Sequence, residues 1–176
     1  MPITINGSGT VTGITAGGLP DGVITTDDIA AGAVTTAKLT GGPAFSARRP
    51  GSSQVISAST WTKVQLTNED FDTASCFDSS TNYRFTPGVA GYYQINATIE
   101  FNNLSASYMV AIYKNGAAWQ NAQYNNSTST GSCGAVSALI YLNGSTDYVE
   151  LYGYTNSATS GFYASSHLSG FLARPA

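Results

Sequence analysis

The sequence predicts an all-β protein, a sandwich or jelly-roll head that follows an extended stalk. Three observations carry this. Beyond residue 42 the chain breaks into short alternating segments separated by the turn signals Pro87-Gly88, Asn115-Gly116 and Asn143-Gly144. No segment sustains a 3.6-residue apolar period, so helices are not expected. The first 42 residues hold no aromatic residue, although the chain has 11 Tyr, 7 Phe and 2 Trp.

Residues 1–42 form the first expected unit. Without Phe, Tyr or Trp it cannot build an ordinary core alone. It does repeat itself: GVITTDDI at 22–29 returns as GAVTTAKL at 32–39, a period of ten. Each copy carries Gly, a β-branched residue, a Thr pair and an aliphatic closer. Thr25-Thr26 before Asp27-Asp28 reads as a capped single turn, with hydroxyls accepting from backbone N–H groups and carboxylates at the positive end. Val23, Ile24, Ile29, Val34 and Leu39 are too few to bury one another within one chain. Several chains side by side could bury them along a shared axis. A disordered Gly/Thr linker is the alternative.

Gly41-Gly42-Pro43 breaks the pattern, and residues 43–176 form the second unit. Its expected strands are Ala44–Arg48, Thr60–Leu66, Tyr83–Thr86, Tyr92–Phe101, Tyr108–Lys114, Ala135–Leu142, Tyr148–Tyr154 and Tyr163–Ala173. The expected core or interface residues are Phe85, Tyr93, Ile95, Ile99, Ile112, Leu139, Val149 and Leu151. Asn-Gly takes positive φ readily, so Asn115-Gly116 and Asn143-Gly144 are strong hairpin marks.

Composition narrows the function. Only 10% of residues are charged and the net charge is −3. No Lys/Arg cluster exceeds Arg48-Arg49, read here as a solvated turn before Pro50, so nothing supplies the basic stripe that nucleic-acid binding needs. No apolar run reaches the roughly 18 residues of a membrane span. The N-terminus has neither the basic start nor the apolar core of an export signal. A hydroxyl-rich surface without such a signal fits a protein made in a cytosol and released by lysis, as virion proteins are. Cys76 and Cys133 match no zinc or redox spacing. They read as two buried thiols, or as a late disulfide between strands.

Residues 43–176 resemble the jelly-roll head of the complement "C-one-q" and tumour-necrosis-factor superfamily. The resemblance rests on AFSAR at 44–48, FD at 77–78, YRFTPGVAGYYQI at 83–95, YKNG at 113–116 and SGFL at 169–172. It implies that the first and last strands pair, and that heads pack as a homotrimer with aromatic residues between subunits. Ser145-Thr146-Asp147 departs from the Gly-Asp often found there. The N-terminal segment, ITAGGLPDGVITTDDIAAGAVTTAKL at 14–39, is similar to stalk and attachment segments of bacteriophage tail fibres.

Little here points to catalysis, and no cofactor is expected. The one histidine, His167, falls inside a predicted strand and reads as structural. The acidic cluster Glu69, Asp70, Asp72 and Asp78 is expected in a loop, with Asp78 part of the Phe-Asp signature. Its spacing matches no calcium loop, and no metal is expected. The sequons at Asn96, Asn103, Asn125, Asn126 and Asn143 read as incidental.

Pairing of the first and last strands places the loops at 154–163 and 124–134 at the pole away from the stalk. Tyr124, Asn125, Asn126, Thr155, Asn156, Phe162 and Tyr163 are the candidate receptor contacts, of types suited to sugars or polar surfaces. The reading is a trimeric tail or neck fibre of a virion. Residues 1–42 would dock to other virion proteins of tail, neck or baseplate, and the head would bind a host-surface receptor, a glycan or a protein. One rival is a purely structural decoration or neck fibre. Another is a polysaccharide depolymerase working through Glu69 or Asp70.

Overall fold

The computed structural model describes residues 41–102, 106–122, 124–128 and 131–176; the repeat segment with Val23, Ile24, Ile29, Val34 and Leu39 lies outside them. The described chain is built of strands: β1 Ala44–Arg48, β2 Gln54–Val55, β3 Thr62–Lys63, β4 Asn68–Asp72, β5 Phe77–Asp78, β6 Arg84–Phe85, β7 Ala90–Asn102, β8 Ser107–Lys114, β9 Ala117–Asn121, β10 Asn125–Asn126, β11 Gly131–Asn143, β12 Val149–Thr155, β13 Gly161–Phe162 and β14 His167–Pro175.

Two antiparallel sheets pack face to face. In the first, β7 pairs with β11 along its whole length on one edge. On the other edge it pairs with β14 and then β13. β14 pairs with β1, from Ala44↔Phe171 to Arg48↔His167, and β1 with β4. In the second sheet β12 lies between β8 and the short strands β3 and β6. β8 carries β9 and β10 on its far edge.

Alternation sorts the side chains. Along β7 the odd positions Tyr93, Ile95, Ala97, Ile99 and Phe101 are buried, and the even ones face outward. On β12, Val149 and Leu151 go inward while Tyr152 and Tyr154 go outward. The core holds a ring stack of Phe77, Phe45 and Phe85, with Phe45–Phe85 centroids 4.2 Å apart and Tyr93 edge-on to Phe85 at 5.5 Å. At the other end Phe101 meets Tyr108 at 5.0 Å and Phe162 at 5.6 Å. Gly153 lies beneath that cluster because a Cβ there would stand 2.5 Å from the Phe162 ring.

β1 has the predicted bounds, and seven of the eight expected core or interface residues are fully buried. Leu139 is 59% exposed, on the outer face of β11. Asn115 (φ 53°) and Gly116 (φ 78°) make the two-residue hairpin between β8 and β9. At the other Asn-Gly only Gly144 has positive φ (71°); Asn143 instead accepts from the backbone N–H groups of Ser145, Thr146 and Asp147.

Other expectations need correction. Within Thr60–Leu66 only Thr62–Lys63 pairs as a strand, although Val64 and Leu66 are buried. The predicted last strand, Tyr163–Ala173, begins only at His167 as β14, because Ser166 N–H bonds back to the Tyr163 carbonyl at 3.1 Å and turns the chain after the short β13. The acidic cluster is not a loop: Asn68–Asp72 is strand β4. Arg48 and Arg49 are not a solvated turn. Arg48 lies in β1 and its Nε donates to Asp70 at 2.6 Å, while Arg49 donates to the Ser52 and Gln65 carbonyls. Both cysteines are free thiols, and Cys133 is exposed rather than buried.

Candidate functional site

Register fixes which loops share a pole. The chain enters at Gly41, and Leu172 N–H bonds the Pro43 carbonyl at 3.0 Å. From there β1 runs to Arg48, which faces His167 of β14, which in turn faces Thr98 of β7. β7 continues to Asn102, opposite Gly131 of β11 and Gly161 of β13. Residues 124–128 and 154–163 therefore gather at the pole away from Gly41.

Hydrogen bonds join these loops to one another. Ser107 N–H donates to Asn156 Oδ1 at 2.9 Å, and Asn156 N–H returns to the Ser107 carbonyl at 3.2 Å. The Ser107 hydroxyl donates to Asn126 Oδ1. Ser160 Oγ donates to the Asn102 carbonyl at 2.9 Å, and Ser53 Oγ to Asn102 Oδ1 at 3.1 Å. Asn126 and Asn156 thus meet through one serine, and Asn125 pairs with Tyr108 in the strand ladder. Tyr124 and Tyr163 are exposed. Two candidate contacts need correction: Phe162 is fully buried against Phe101, and Thr155 is fully buried with its Oγ1 accepting from Ser157 N–H at 3.0 Å. Both looked like loop residues because Asn, Ser and Gly surround them.

The acidic residues are engaged in structure. Asp78 accepts from the backbone N–H groups of Thr81, Ser80 and Asn82 and from the Asn82 amide, which hold its carboxyl well below the usual range. The Arg48 hydrogen bond lowers Asp70 likewise, opposite to the raised pKa of a general acid. Glu69 accepts from the Ser79 hydroxyl. Among the described residues no His, Cys, Asp and Glu group could hold a metal ion.

Two outward sheet faces carry aromatic residues whose positions the strand bounds alone do not reveal. On the first sheet Tyr92, Leu139, Tyr141 and Phe171 are all exposed. Tyr92 meets Tyr141 edge-on at 5.5 Å, and Leu139, Gln94 and Phe171 lie in one cross-strand row. The row Ser137, Asn96, Ser169 and Ser46 beside it is small and polar. On the second sheet Trp61, Tyr113, Tyr152 and Tyr154 touch ring to ring: Tyr113 stacks on Tyr152 at 3.9 Å, and Trp61 lies 5.5 Å from Tyr154 and 6.0 Å from Tyr113. The signal for it was present in the i, i+2 spacing of Tyr152 and Tyr154, opposite in phase to Val149 and Leu151.

No family model and no curated protein matches this chain. Solved structures do. The globular domain of a zebrafish complement 1qA protein is similar at 17% identity and a TM-score of 0.59, over 77% of this chain and 99% of that one. The vertex protein of phage PRD1 is similar at 17% identity and 0.56, over 76% and 74%. The Eiger tumour-necrosis factor of S. frugiperda is similar at 12% identity and 0.58, over 77% and 95%. The head is a complement- and tumour-necrosis-factor-like jelly roll in fold.

Proposed function

We propose that this chain is a structural fibre protein of a bacteriophage, in the tail or neck, whose head forms a homotrimer and binds a glycan on the host surface. The observation that carries the reading is a junction: a jelly roll with the PRD1 vertex protein among its structural neighbours follows an aromatic-free ten-residue repeat. The exposed Tyr92, Leu139, Tyr141 and Phe171 support assembly, since such a face on one subunit is an interface in want of a partner. Three weak sites on one trimer gain avidity through effective concentration. The reading is non-catalytic, in keeping with the depressed Asp70 and the structural use of Glu69. The test is adsorption. Purified, folded trimers should bind susceptible cells and compete with phage; folded trimers that bind no susceptible host cell refute receptor binding.

A structural decoration or neck fibre is the second reading. It is favoured by the far-pole loops, where Asn126 and Asn156 spend their acceptors on Ser107. Full adsorption by virions lacking residues 43–176 would establish it.

A further inference from the structure

We propose that the outer face of the second sheet is a lateral binding strip for an acidic saccharide chain. This rests on the glycan-binding reading above and moves the site from the far-pole loops to the side of the head. Trp61, Tyr113, Tyr152 and Tyr154 form a continuous, half-buried layer. None of these rings belongs to the sandwich core. Ring-on-ring contact fixes their orientation before any ligand arrives, which lowers the entropic cost of binding. A pyranose offers an apolar C–H face and a rim of hydroxyls. The strip offers ring faces together with phenol hydroxyls that can donate and accept.

Charge selects the kind of saccharide. Lys63 Nζ donates to Glu150 Oε1 at 2.6 Å, so these two charges cancel within the strip. Arg84 stands between Asp78 of β5 and Glu150 of β12 in the strand ladder, and its Cζ lies over the Tyr148 ring, 4.2 Å from the centroid. Among the described residues no carboxylate lies within ion-pair distance of Arg84. Lys63 and Glu150 are paired with each other and Asp78 is taken up by the backbone N–H groups of the turn at 80–82, so the Arg84 guanidinium is the group at this end of the strip that takes part in no ion pair among the described residues. A carboxylate or phosphate on the sugar is the complementary group, and a guanidinium can hold either one in bidentate fashion. The exposed apolar face proposed for assembly belongs to the other sheet, so a trimer formed there leaves this strip open.

The test uses the full chain carrying Trp119→Phe, which leaves Trp61 as the sole tryptophan. A bacterial surface-glycan array selects a ligand, and titration of that glycan follows Trp61 fluorescence at low and high salt. Three results are expected together: a ligand-dependent Trp61 signal, affinity lowered about tenfold or more by Trp61→Ala but less by Trp61→Phe, and weaker, less salt-sensitive binding in Arg84→Gln. Tyr154→Ser repeats the test in case Trp61→Ala unfolds. Glycan binding that is unchanged in Trp61→Ala and Tyr154→Ser but lost in Tyr124→Ala overturns the strip and keeps the receptor reading. Binding that ignores Arg84→Gln overturns the acidic ligand. Folded trimers that bind neither array nor cells overturn both the strip and the receptor reading; cell binding without array binding overturns the strip alone.

Discussion

Leu139→Glu should break the proposed head trimer while leaving each subunit folded. Leu139 projects from the outer face of β11 and is 59% exposed in the single chain. Full burial of a leucine is worth roughly 1.5–3 kcal/mol, so covering the exposed part contributes about 1–2 kcal/mol per subunit. Three copies give about 3–5 kcal/mol, and desolvating three carboxylates adds to the loss. Dissociation should therefore become easier by at least about a hundredfold. Light scattering across a dilution series reads the mass, and far-ultraviolet circular dichroism confirms the fold. Leu142→Ala is the contrast: Leu142 points inward from the same strand and is fully buried, so it should lose about 2–5 kcal/mol of folding stability. A wild-type head that is monomeric at every concentration refutes the reasoning. So does a Leu139→Glu head that remains trimeric with unchanged affinity.

Asp78→Ala should cost about 1–2 kcal/mol in urea unfolding, since several N–H donors of the turn at 80–82 lose their acceptor. Asp78, Asp70 and Asp147 all have lowered pKa values. Their contribution is present above the ordinary carboxylate pKa of about 3.9 and is lost as pH falls through the folded values, so a urea midpoint that stays flat below about pH 4 would contradict this. At the alkaline end burial pushes the Tyr93 hydroxyl, which donates to the Val89 carbonyl at 2.7 Å, up to about 12. Its contribution is complete below the ordinary tyrosine pKa of about 10 and is lost as pH rises through the folded value. Tyr93→Phe should flatten that alkaline loss in the same urea assay.

Legibility in the sequence followed the length of the periodic signal. β1 and β7 alternate in burial along their length, β8 and β12 run for seven or more largely apolar residues, and each was found within a few residues of its bounds. β2, β10 and β13 have two residues each, too short to show a period, and β9 is exposed throughout and shows no alternation of burial. β4 was hidden because Glu69, Asp70 and Asp72 look like loop residues, yet Asp70 is held in the sheet by Arg48 and Ser46 of β1. The candidate contacts divided on the same grounds. Tyr124 and Tyr163 are exposed, but Phe162 is drawn into the core by a close approach that only a glycine at 153 permits. Such tertiary demands leave no local trace.

The two aromatic faces differ in a way that decides what each can do. On the first sheet Tyr92 and Tyr141 touch each other, but Leu139 and Phe171 stand exposed across a row interrupted by Gln94. Loosely supported apolar groups gain most from a large partner that removes them from water, as a second subunit would. On the second sheet every ring of the strip already packs on another, and the Lys63–Glu150 pair beside them is closed. That face has less apolar area left to hide and more rigidity to offer. It suits a small, partly polar ligand held by stacking, for which orientation counts more than area. Shape and preorganisation therefore suit the two faces to the different partners proposed for them, although both are built from the same few residue types.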